Sequence, residues 1–123
     1  MYRHILVGTD GSKTAALAVN RAVDVARAFG ATVTILSVGT ADRASRVVSS
    51  EAARHADAGI KVLTETAEGD PASVIIDRAE QGDVDLVVVG NRGMTGASRF
   101  FLGSVPNKIS HHAPVALLIV RTT

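Results

Sequence analysis

Five stretches rich in β-branched and aliphatic residues punctuate the chain: Ile5–Gly8, Thr32–Val38, Lys61–Thr66, Leu86–Gly90 and Val115–Val120. The first, fourth and fifth are nearly continuous apolar runs, the pattern of strands covered on both faces in a parallel sheet. Lys61–Thr66 reads KVLTET, and its interspersed polar residues place it towards a sheet edge. Between these runs the period changes. Residues 13–29 set Leu17, Ala18, Ala22, Val25, Ala26 and Phe29 at spacings of three and four, an amphipathic helix that Asp10 or Ser12 can cap and Gly30 can end. Residues 71–81 follow Asp70-Pro71, an N-cap with proline at the first helical position, and stop at Gly82. Residues 104–112 carry Val105, Ile109 and His112 on one side and end at Pro114. Residues 41–58, with Val47 and Val48 as their large apolar positions, predict a weaker helix closed by Gly59.

Strand and helix alternate from end to end without a linker or repeat, and every crossover is long enough to hold a helix. This predicts one domain, residues 1–123, with an α/β fold: a right-handed, three-layer doubly wound sandwich around a five-stranded parallel sheet. Such sheets bind ligands beyond the carboxyl ends of their strands, near the point where strand order reverses. The places to search are therefore just after Gly8 and just after Gly90.

Composition narrows the chemistry. Thirteen Lys and Arg oppose twelve Asp and Glu in 123 residues, so a general affinity for polyanions is not expected, and any phosphate must be held locally. Without cysteine there are no disulfides, thiolate metal sites or cysteine nucleophiles, which fits a reducing cytosol. Tyr2, Phe29, Phe100 and Phe101 are the only aromatic residues, too few for the stacking platforms of single-stranded nucleic acid binding. The longest apolar run, Ala113–Val120 with Pro114 allowed, falls short of the ~20 residues of a membrane helix. The N-terminus enters a strand without a signal-peptide core, so a cytoplasmic protein with neither nucleic acid nor membrane as partner is expected.

Two loops offer chemistry. After the fourth strand, Gly90, Gly93, Gly96 and Gly103 lie within fifteen positions together with Thr95, Ser98 and Ser104. Glycines let backbone N–H groups approach a phosphate closely, and a helix starting at Ser104 turns its positive end to the loop. Residues 86–123 hold Arg92, Arg99, Lys108 and Arg121 but no Asp or Glu, a local excess of four positive charges. Tight turns alone would also call for glycine, but strand end and charge together favour a phosphate site. After the first strand, Asp10 is the sole carboxylate at that strand end. It can accept from a ribose hydroxyl, help place Mg²⁺, or cap the helix.

Other chemistries fit less well. Gly11-Ser12-Lys13-Thr14 lacks the G-x-x-x-x-G-K-[ST] of a P-loop, and Gly90-x-x-Gly93-x-x-Gly96 is not the dinucleotide G-x-G-x-x-G. A phospho-receiver needs an aspartate cluster for Mg²⁺ where this chain has one. His111 and His112 adjoin on a predicted helix and diverge, His4 and His55 are isolated and expected at the surface, and no Ser/His/Asp set stands out.

The run Gly90–Ser104 matches, without a gap, the G-x2-G-x9-G-[ST] signature, and with ILVGTDGS, DLVVVGNRG and LGSVPNKISHHAPVALLIVR it resembles the ATP-binding branch of the universal stress protein family over essentially the whole chain. The segment Gly39–Gly59 is shorter than in many members. The resemblance implies strand order 3-2-1-4-5 and an adenine nucleotide across the switch point between strands one and four. It places Thr9 and Asp10 by the adenosine end and gives adenine the backbone polar groups of Val38. Gly90 and Gly93 then follow ribose and α-phosphate, with Arg92 among them as a local cation. Gly103, Ser104 and Val105 supply N–H groups to the outer phosphates. It further implies ATP as ligand, with cAMP as the alternative. Mg²⁺ would be held near Asp10, and ATP hydrolysis would be weak at most. It implies a homodimer through the Val115–Val120 edge strand that acts on an unknown protein partner in stress response.

Overall fold

The computed structural model describes residues 1–91 and 115–122. Its strands β1 (His4–Gly8), β2 (Thr32–Val38), β3 (Val62–Ala67), β4 (Leu86–Gly90) and β5 (Ala116–Val120) are all parallel, in the order β3-β2-β1-β4-β5. The helices are α1 (Lys13–Phe29), α2 (Ala41–Arg54) and α3 (Pro71–Glu80). The predicted architecture and strand order hold, and the polar third strand takes an edge. The expected helix over 104–112 lies outside the described residues.

Strand alternation sorts the aliphatic residues into two layers. Ile5, Val7, Val33, Ile35, Leu86 and Val88 face α1 and α2, while Leu6, Leu36, Val87 and Val89 face α3. Each large aliphatic side chain so buried contributes ~1.5–3 kcal/mol. On α1 the buried stripe is Ala15, Ala18, Val19, Ala22, Val23 and Ala26, rotated from the predicted one. Leu17 is 46% and Phe29 43% exposed, because the helix rests its alanines on the sheet and its larger residues at 19 and 23 fill the gap between strands. Phe29 instead packs edge-on against Tyr2, ring centroids 5.3 Å apart.

Polar contacts fix the element ends. Ser12, not Asp10, is the N-cap of α1 and accepts from the Ala15 N–H at 3.1 Å, and Gly30 closes that helix with φ 68°. Asp70 caps α3 through the Ser73 N–H at 3.0 Å. The Asp85 carboxylate accepts from the Arg3 and His4 N–H groups at 2.8 and 3.1 Å and so anchors the start of β1. At the end of α3, Arg78 grips Glu65 on β3 with Nε and Nη2 at 2.8 and 2.9 Å, and also bonds Asp83. The two carboxylates raise the guanidinium pKa, and Arg78 in turn lowers that of Asp83. The fork ties the edge strand to the helix that crosses from it.

Helix α2 stops at Arg54, with His55 as C-cap at a non-helical φ of −114°, four residues before the predicted end; Gly59 falls in the turn that follows. Buried Glu51 pairs with Arg54, whose Nη2 also donates to Asn20 of α1 at 3.0 Å. Neither early histidine is the surface residue expected. His4 Nε2 lies 2.6 Å from Thr34 Oγ1, and its side chain is only 16% exposed. His55 Nε2 is buried and has no hydrogen-bond partner among the described residues.

Burial, and then the Arg54 cation, lower the His55 pKa against the opposing pull of Glu51 and Asp24. The folded chain thus binds this proton less tightly than the unfolded one, so unfolding is favoured as pH falls through the unfolded value of 6.5. Thermal unfolding measured from pH 7.5 down to pH ~5.5 will show a falling midpoint, and His55→Gln will flatten that fall. The turn before α1 makes a second test. Gly11 has φ 83°, and a Cβ there would stand 3.0 Å from Val47 Cγ2 of α2. Gly11→Ala is expected to cost ~1–2 kcal/mol from the backbone alone. In urea denaturation, combining it with Val47→Ala will remove only the contact part, which will appear as coupling between the two sites.

Candidate functional site

The site begins where β1 ends. Thr9 is wholly buried; its N–H donates to the Leu36 carbonyl at 2.9 Å and its Oγ1 accepts from the Gly11 N–H at 3.1 Å. The chain then turns outward at Asp10, whose Oδ1 accepts from the Ser12 N–H at 2.9 Å. Asp10 thus shapes the turn rather than capping α1, and its second carboxylate oxygen makes no hydrogen bond among the described residues.

Beside it β2 runs further. The β1–β2 register closes at Gly8↔Leu36, so alternate residues of β2 from Leu36 onward present their backbone polar groups to the β1 side. Val38 is the next of these. Its N–H and C=O face the space beyond β1 and meet no backbone partner among the described residues. On the opposite side, the Gly39 N–H donates to Ala67 of β3 at 2.9 Å. Only Gly39 and Thr40 separate β2 from α2. Thr40 accepts the Ala44 N–H through its carbonyl at 2.8 Å, and its side chain makes no capping bond.

These segments enclose a cleft of about 290 Å³ at the carboxyl ends of the strands. Asp10, Ser37 and Val38 form its floor, Thr40, Arg43 and Ala44 one wall, and Pro71 at the head of α3 the other. Val38, Ala44 and Pro71 make it partly aliphatic, and among the described residues Asp10 and Arg43 are its two charged side chains. The groups whose ionisation is clearly shifted among the described residues, His55, Arg78 and Asp83, all lie elsewhere. No group of three or more metal-binding side chains occurs among the described residues. The cleft is built to hold a ligand by shape, backbone polarity and one charge of each sign.

Of the residues singled out from sequence, Asp10 and Val38 line the cleft and Thr9 lies beneath it. Gly90 ends β4; continuing the Val7↔Val88 register puts it level with Thr9 across the reversal of strand order. Arg92, Gly93, Gly103, Ser104 and Val105 lie outside the described residues. Sequence reasoning missed Arg43, Thr40 and Pro71 as lining residues. The two-residue connection after β2 was the available signal, since it brings the first turn of α2 straight to the strand end. It also missed Asn91, whose Oδ1 accepts from both the N–H and the hydroxyl of Thr122 at 2.8 Å and clamps the tail of β5 to the end of β4.

Known proteins share this arrangement. A putative universal stress protein of Staphylococcus aureus (strain USA300) is 35% identical over 145 residues, spanning 98% of this chain and 85% of that protein. A crystal structure of a universal stress protein in complex with cAMP superposes with TM-score 0.80 at 30% identity, over 99% of this chain and 98% of that one. Protein Rv1636 from Mycobacterium tuberculosis H37Rv gives TM-score 0.67 at 35% identity, over 99% and 97%. No helix among the described residues is long and apolar enough to cross a membrane. The Universal stress protein family model matches residues 1–49 and 39–121. The chain belongs to the universal stress protein family.

Proposed function

We propose that this protein binds an adenine nucleotide, ATP first among them, and acts as a nucleotide-responsive regulatory dimer in the cytoplasm under stress. The observation that carries the reading is the cleft at the ends of β1 and β2, lined by Val38, whose backbone N–H and C=O have no partner among the described residues. Adenine needs one donor and one acceptor side by side, and a free main-chain N–H and C=O supply them. Asp10 stands where a ribose hydroxyl would follow. The phosphates would continue past Gly90 into the glycine-rich stretch that ends in Gly103-Ser104, where amides rather than a lysine meet the charge. Magnesium entering with ATP fits the same residues: Mg²⁺ keeps most of its waters and phosphate oxygens and needs only one or two carboxylates, and Asp10 has an oxygen to spare. Among the described residues the cleft offers Asp10 as its one carboxylate, and the reading is of binding rather than turnover.

A cAMP-binding protein is the second reading, favoured by the similarity to the universal stress protein crystallised with cAMP. Titration calorimetry with ATP and cAMP, singly and in competition, decides between them. ATP will bind, and Gly103→Asp, which sets bulk and negative charge among the phosphate amides, will weaken it about a hundredfold or more while leaving the circular dichroism unchanged. Absence of heat with every adenine nucleotide would overturn the reading.

The dimer rests on β5. It pairs with β4 on one side only, its other edge has no strand partner among the described residues, and Ile119 is 41% exposed. Apolar edges of this kind pair with their own copies. Sedimentation velocity will show a dimer that Ile119→Lys converts to monomer.

A further inference from the structure

The cleft has a feature that main-chain recognition of adenine does not use. Arg43, in the first turn of α2, lines its wall, is exposed, and makes no ion pair or hydrogen bond among the described residues. Its neighbour Ala44 is buried and small, which leaves room in front of it, and the two-residue Gly39-Thr40 connection holds this turn at the strand end. Among the described residues Arg43 is also the only cation on the cleft.

We propose that the cleft accepts guanine nucleotides as well as adenine nucleotides, and that Arg43 is the specificity-determining residue. The inference rests on the nucleotide reading above. A guanidinium offers parallel N–H donors and no acceptor. Between the two purines the fork discriminates: guanine sets two acceptors, O6 and N7, side by side to receive it, whereas adenine puts its N6 amino donor next to N7 and meets the fork with a donor. The Val38 main chain does not oppose guanine. Its N–H and C=O serve adenine through N1 and the N6 amino group, or guanine through O6 and N1–H, after a small shift of the base. Among the described residues no aromatic side chain lines the cleft to fix one base position by stacking. Asp10 remains free for the ribose in either case.

The test uses the full chain and the ribose-labelled fluorescent probe mant-ATP, displaced by unlabelled ATP, GTP and ITP. ITP keeps O6 and N7 but lacks the 2-amino group. GTP and ITP are expected to displace the probe at concentrations within about tenfold of ATP. Arg43→Ala should weaken GTP and ITP at least about tenfold more than it weakens ATP, and Arg43→Lys, which cannot form the fork, should not restore the difference. An exposed arginine without partners, replaced by a strong helix former, leaves the fold intact, and circular dichroism checks it. Displacement by ATP but not by GTP overturns the inference and leaves the nucleotide reading standing. Equal weakening of all three nucleotides by Arg43→Ala overturns it too, since Arg43 would then contact phosphate or a base face. No binding of the probe to the native chain overturns both.

Discussion

The backbone of β2 outlasts that of β1, and the site follows from this mismatch. Along the register from His4↔Thr32 to Gly8↔Leu36, β1 and β2 pair backbone to backbone, as burial requires. At Gly8↔Leu36 the register ends, Thr9 makes one last bond to β2 and turns away, and Val38 is left with a donor and an acceptor that meet no backbone partner among the described residues. Such groups must be satisfied by water or by a ligand. A purine edge, which carries donors and acceptors in adjacent pairs, is a natural partner. The central, fully buried position of β1 makes the mismatch rigid, because Ile5, Leu6 and Val7 are locked between two helical layers and cannot slide.

The fold was legible because the strands are written in nearly pure Val, Ile and Leu, and the helices between them carry their own caps. The bounds of β2, β4 and α1 were read as they stand. What was not legible depended on tertiary context. Periodicity says that one side of α1 is buried but leaves the angle open, and Leu17 and Phe29 were placed inward because they are large, whereas the sheet surface prefers the alanine side. His55 reads as polar and lies partly buried because the end of α2 folds down against α1. Asp10 looked like a cap, yet the competition between two adjacent capping residues was settled by which side chain reached the Ala15 N–H.

At the site, sequence reasoning found the residues whose role is steric or backbone-borne, since glycine spacing and strand ends are printed in the chain. Arg43 escaped it because a single arginine on a helix is unremarkable until the loop before the helix is known to be two residues long. Asn91 escaped for the same reason: its partner, Thr122, is thirty-one positions away. Local patterns predict elements, while the bonds that join element ends across the sheet are long-range and have no periodic signature.

The Asn91 side chain has a mechanical consequence. It sits on the first residue past β4, where the glycine-rich segment departs, and its carboxamide oxygen holds the last turn of backbone after β5 through two bonds to a single threonine. The departure point of that segment and the tail of the outermost strand are therefore tied together, by this carboxamide and by the Asn91 N–H on the Val120 carbonyl at 2.9 Å. Tension applied at either end is felt at the other across a few ångströms of hydrogen bonding, without any rearrangement of the packed layers beneath.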